Sequence, residues 1–209
     1  MHNVHFLAWA AMMEGRFETA LESARQIERD MPKDFLRQNT HIADAFMPTS
    51  LHVLIRFGRW EDILKEPEPP TYRYLSRAMR HYARGIALAN LDRTDEARRE
   101  LAAFERVARE TPDNFMFINN TAKDVYAIAR DMLMGELSFR EGKRQQAFEH
   151  LRAAAIAEDN LVYDEPPGWM HPVRHALGAL LIADGKAAEA VQVYEEDLKR
   201  NPENGWALV

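Results

Sequence analysis

Eight histidines and no cysteine set the chemistry within reach of this chain. Imidazoles can ligate a divalent metal, carry a proton or donate a hydrogen bond. Without thiols, disulfides, thiolate zinc sites and cysteine nucleophiles are excluded, so any bound metal needs imidazole or carboxylate ligands. His2 and His5, and likewise His171 and His175, stand three and four residues apart, a spacing that puts each pair on one face of a helix. Immediately before the second pair lies VYDEPPGWM, Val162 to Met170, which carries Asp164, Glu165 and Trp169. A loop stiffened by two prolines can direct such side chains at a neighbouring surface. Arg56 and Arg140 are further candidates, because a guanidinium holds a carboxylate through two parallel hydrogen bonds. None of GxGxxG, GxxxxGK[ST], HExxH or GxSxG is present, so no signature of catalysis accompanies these residues.

The frame that must position them is bounded by composition. The 209 residues are 46% hydrophobic and 29% charged, as expected of a folded chain able to bury a core rather than a disordered one. Acidic side chains outnumber basic ones by 33 to 27, giving a formal charge of -6. That balance offers no general attraction for phosphate backbones or anionic lipid, so nucleic acid is not expected as a partner. No apolar stretch approaches the roughly 20 residues of a membrane span, and the N-terminus lacks the features of a signal peptide. A cytoplasmic location is the expectation.

Self-similarity organises the chain. A turn residue recurs in EGRFETA, FGRWEDI, LDRTDEA, EGKRQQA and DGKAAEA, at Gly15, Gly58, Asp92, Gly142 and Gly185. Five residues after each stands Ala20, Ile63, Ala97, Ala147 or Ala190, and seven residues before each stands Ala8, Leu51, Gly85, Gly135 or Gly178. This pattern resembles the tetratricopeptide repeat, a helix-turn-helix of about 34 residues. The resemblance implies an all-α, right-handed α-solenoid of about five units, near residues 1–34, 44–77, 78–111, 128–161 and 171–204, with a further helix opening at 205–209. The second unit is degenerate: Pro48 starts or kinks its first helix, and Pro67, Pro69 and Pro70 stop its second after Lys65. Insertions separate three of the junctions, at 35–43, 112–127 and 162–170. The first is expected as a loop or an early helix turn. In the second, Asn120 or Thr121 can cap a helix running to Glu141, with Phe115, Met116 and Phe117 folding back on the array.

In this repeat the first helix of each unit lines a concave groove, and the resemblance places His2, His5, Trp9, Met12, Met13, His52, Arg56, Tyr82, Asn90, Met132, Glu136, Phe139, Arg140 and His175 on that surface. His41, His81 and His150 are less specific. Longer strings, HNVHFLAWAAMMEGR, FMPTSLHVLIRFGRWEDIL, LVYDEPPGWMHPVRHALGALL and NPENGWAL, look like the C-terminal portion of larger bacterial tetratricopeptide-repeat proteins, which implies a segment of a longer array. The reading that follows is a noncatalytic scaffold holding a protein or peptide in its groove, with no cofactor. Trp9, Tyr82 and Phe139 are its apolar anchors, and Arg56, Arg140 and the histidines orient the ligand. The alternative is a metal or small-ligand site, possibly enzymatic, between His5, His52, His175 and the Asp164, Glu165 and Trp169 loop, with His2 as a fourth candidate ligand. Terminal units without polar caps also suggest self-association. The basic-aromatic stretch from Tyr72 to Arg84 is expected as a helix surface or groove rim, not a nucleic-acid site.

Overall fold

The computed structural model describes residues 1 to 208 as an all-helical chain in which neighbouring helices pack against one another. Helix α1 (His2–Met13) pairs with α2 (Phe17–Asp30), α5 (Thr49–Arg56) with α6 (Trp60–Lys65), α7 (Tyr74–Asn90) with α8 (Thr94–Glu110), α9 (Ala122–Arg140) with α10 (Arg144–Asp159), and α11 (Val173–Ala183) with α12 (Ala187–Arg200). Successive hairpins then pack in chain order, through contacts of α2 with α5, α5 with α7, α7 with α9 and α10 with α11.

The five aligned turn residues share one conformation. Gly15, Gly58, Asp92, Gly142 and Gly185 all have φ between 58 and 79°, the left-handed region that ends a helix. The next amide reaches back five residues each time, from Arg16 to Ala11, Arg59 to Leu54, Arg93 to Leu88, Lys143 to Ser138 and Lys186 to Leu181, at 2.8 to 2.9 Å. This bond satisfies a carbonyl the helix end leaves open and turns the chain sharply. Beyond each turn, Ala20, Ile63, Ala97, Ala147 and Ala190 are fully buried between the paired helices. Close approach is tightest at Gly178, where an added Cβ would lie 2.4 Å from the Tyr194 ring of α12.

The interruptions are ordered. Helix α6 ends at Lys65 before the three prolines, and α5 starts just after Pro48. The first insertion is more helical than expected, forming α3 (Lys33–Gln38), α4 (Thr40–Ala43) and a 3-10 turn at Asp44–Phe46. Asp44 is completely buried and fastens that turn to α7 by accepting hydrogen bonds from Arg73 Nε at 2.9 Å and Ser76 N at 3.0 Å. The second insertion folds back as a short antiparallel pair, β1 (Met116–Phe117) with β2 (Asn120–Thr121), whose Phe115 and Phe117 are buried. Thr121 then caps α9, with Asp124 returning the bond to the Thr121 amide.

Of the stretch 205–209, expected to open a further helix, residues 205–207 form a 3-10 turn, and Val209 lies outside the described residues. Trp206 packs back onto the start of the chain, its Nε1 donating to the Met12 carbonyl at 3.3 Å and its ring facing Phe57 with 6.2 Å between centroids. The last hairpin is thereby joined to the first.

Candidate functional site

The loop after α10 supplies the centre of the molecule. Asn120 brackets it, accepting from the Val162 amide at 2.7 Å and donating to Asp164 at 2.7 Å, while Asn119 donates to the other Asp164 oxygen at 2.5 Å. Asp164 is thus a fastener, a buried carboxylate wrapped by two amides, and burial raises its pKa. Glu165 is exposed; its backbone carbonyl bonds His2 Nε2 at 2.8 Å and its carboxylate accepts from the Tyr163 hydroxyl. Held at both ends, the loop drives Trp169 into the interior, where only 1% of its surface stays exposed. Its ring meets His52, Tyr82 and His171 edge-on at 5.3 to 5.4 Å between centroids.

Around this indole the inner helix faces gather polar groups without partners. His5 Nδ1, His52 Nδ1, Arg56 Nε and Nη2, Tyr82 Oη, Trp169 Nε1, His171 Nε2 and His175 Nδ1 are buried and unpaired. Among the described residues no other buried side-chain nitrogen or oxygen lacks a partner, although native interiors normally satisfy such groups. The imidazoles of His5, His52 and His171 are neutral at pH 7. Burial, reinforced by the neighbouring His2, lowers the His5 pKa to about 4, and burial beside His5 lowers that of His52 to about 3. His171 is pushed well down by burial and by His52, Arg56 and His175. His175 is oriented by Asp197, 2.9 Å from its Nε2, and Asn204 Nδ2 lies 2.9 Å from the same nitrogen.

A cavity of about 380 Å3 opens beside this cluster between α5, α7, α9, α11 and Trp206. Its size falls in the range of small-ligand sites. Arg56, Tyr82, Glu136, Arg140, His171 and His175 supply polar wall, and Ile86, Met132, Ala179 and Leu180 supply apolar wall. The two arginines differ in kind. Arg140 is committed, donating from Nε to Glu136 at 2.8 Å and from Nη2 to Asn90 at 2.6 Å. Arg56 stacks on the Trp206 ring, 3.9 Å from its centroid, with no bonded anion. Burial lowers its pKa to about 10, against the pull of Asp197, so it stays charged at neutral pH. Glu136 is raised by burial, an effect opposed by Arg140.

Other expected groove residues lie elsewhere. Phe139 packs on Phe148 and under the Arg144 guanidinium, 3.7 Å from its centroid, and does not line this cavity. Met12 is fully buried among Ala8, Ala20 and Val53. Trp9 and Met13 face a second space of about 500 Å3 against residues 200–205. His5 and His52 border only a narrow crevice. His2, His5, His52 and His175 do not converge: among the described residues no three His, Asp or Glu side chains are placed to share a metal ion. The basic stretch is internally paired, Arg73 with Asp44, Arg80 with the Glu66 carbonyl, and His81 and Arg84 with Glu100.

Two residues central to the site were not among the sequence candidates, Asp197 and Trp206, whereas His171 stood out only through its spacing from His175. Asp197 is buried and hydrogen-bonded to His175, Asn201 and Asn204. The class these features define is an all-helical chain with a polar, partly enclosed central cavity. No protein-family model, no curated protein and no solved structure matches it. No helix among the described residues is long and apolar enough to cross a membrane.

Proposed function

We propose that this chain is a noncatalytic binding module, a tetratricopeptide-like solenoid closed on itself, that takes a short ligand in its central cavity. The repeated turn geometry supports the solenoid reading. The binding reading is carried by one observation: of the seven residues with unpaired buried polar atoms, four, Arg56, Tyr82, His171 and His175, line this cavity, where an occupant can complete their hydrogen bonds. The occupant is a small molecule or a short chain end. An extended peptide running along the inner surface conflicts with Trp169 and His171, which already fill its middle.

A catalytic reading gains less support. His175 and Asp197 resemble an oriented base, yet among the described residues no serine, threonine or cysteine lines the cavity beside them to serve as nucleophile. The test is a thermal-shift screen of small acids, amines, sugars and tripeptides, repeated on Ala179→Trp. Ala179 lines the cavity from an exposed position, so the indole fills the space without disturbing the core. At least one class should raise the melting temperature of the native chain and lose its effect in the variant. Hits that survive the substitution, or the absence of any hit, overturn the proposal.

A further inference from the structure

We infer that the ligand of this cavity is a small monocarboxylic acid with an apolar body, its carboxylate held by Arg56. This rests on the cavity being the binding site, and names what it binds. The argument starts from the contrast between the two arginines. Arg140 already has its carboxylate in Glu136. Arg56 has none, and the atoms it leaves unpaired are Nε and Nη2. Those two nitrogens share one edge of the guanidinium plane, the edge that meets both oxygens of a carboxylate through parallel hydrogen bonds. The anion that raises the Arg56 pKa, Asp197, is spent on His175, Asn201 and Asn204. Buried guanidinium nitrogens without a bonded anion are costly, and a bound carboxylate offsets that cost.

The remaining groups narrow the class. Tyr82 Oη is a further unpaired donor on the wall, and His171 and His175 each offer an unpaired ring nitrogen. The nearby charges leave one cation unmatched by contact: Arg140 is bonded to Glu136, Asp197 to His175, Asn201 and Asn204, and the imidazoles of His52 and His171 are neutral at pH 7, so Arg56 offers a place for a single negative charge. A dianion such as phosphate would bring a second charge against Glu136. Elsewhere on the wall, Ile86, Met132 and Leu180 present hydrocarbon, which suits an aliphatic or aromatic body and gains little from a sugar.

The experiment is calorimetric titration of the full chain with hexanoate, benzoate, hexanamide, inorganic phosphate and the tripeptide acetyl-Gly-Gly-Leu. Either monocarboxylate should bind at least about tenfold more tightly than hexanamide, the usual margin for a charge-assisted pair. Arg56→Met should erase that margin, and Tyr82→Phe should weaken the acid several-fold. Circular-dichroism melts check that each variant folds; if Arg56→Met does not, Tyr82→Phe and the acid-to-amide ratio of the native chain decide. Equal binding of acid and amide, both lost in Ala179→Trp, overturns the carboxylate while leaving the cavity as a binding site. Tighter binding of phosphate, binding of the tripeptide alone, or binding of none of the probes overturns the inference.

Discussion

A histidine buried without a partner is a proton acceptor that the fold refuses to use. His5, His52 and His171 have pKa values depressed by burial, so below the ordinary value of about 6.5 the unfolded chain takes up protons that the folded chain does not. Stability present above that pH is lost as it falls toward 4. Glu158 acts with the opposite sign. Burial raises its pKa to about 8, so the folded chain holds its proton where the unfolded chain has released it, and stability is lost as pH rises through neutrality. Glu136, also raised, opposes the histidines on the acid side but is outnumbered by them. The melting temperature should therefore peak between about pH 6 and 7. His52→Gln should flatten the acid limb and Glu158→Gln the alkaline limb, read from melts between pH 4.5 and 8.5. A curve whose acid limb is unchanged in His52→Gln would refute the assignment. At this scale residue type was legible and environment was not: His52 and His41 look alike in sequence, and only packing buries the one and leaves the other half-exposed.

The hairpins are where local chemistry decides most. Four of the five turns use Gly for the left-handed residue, and Asp92 alone carries a side chain there, at φ 58°. Asp92→Gly should raise stability by about 0.5 kcal/mol, measured by urea unfolding, since it relieves that conformation but also loosens the unfolded chain. Gly178→Val should lower it by about 1 to 3 kcal/mol, because its side chain meets the Tyr194 ring. Thr121→Ala removes a reciprocal cap from α9 and should cost about 1 kcal/mol. These elements were readable because each rests on a short-range rule. A proline stops α6 at Lys65, a left-handed residue ends α7 after Asn90, and a hydroxyl starts α9 at Ala122. The first insertion was not readable in the same way. Its α3 and α4 are six and four residues long, too short for periodicity to appear, and are stabilised by long-range contacts such as Asp44 with Arg73 and Ser76.

Closure of the molecule depends on residues far apart in sequence. Trp206 touches Met12, Arg56 and Phe57, joining the last hairpin to the first and walling one side of the cavity. Trp206→Ala should lower stability by about 2 to 4 kcal/mol through lost aromatic burial and the cation-π contact. It should also speed amide exchange in α1 and α5 more than in α8 or α9, which hydrogen-exchange mass spectrometry would detect; uniform acceleration would contradict a role at the seam. By itself the sequence determined the helical class, the places where hairpins turn and the small residues buried between paired helices, because each follows from φ preferences and side-chain size within a few dozen residues. It also pointed to the loop around Asp164 and Trp169. Tertiary structure alone decided that this loop fills the interior, that Phe139 and Met12 serve packing, and that Arg140 is paired while Arg56 is not. Those outcomes depend on which side chains meet across 40 to nearly 200 residues, as in Arg140 with Asn90 and Trp206 with Met12, and no local preference encodes a meeting at that distance.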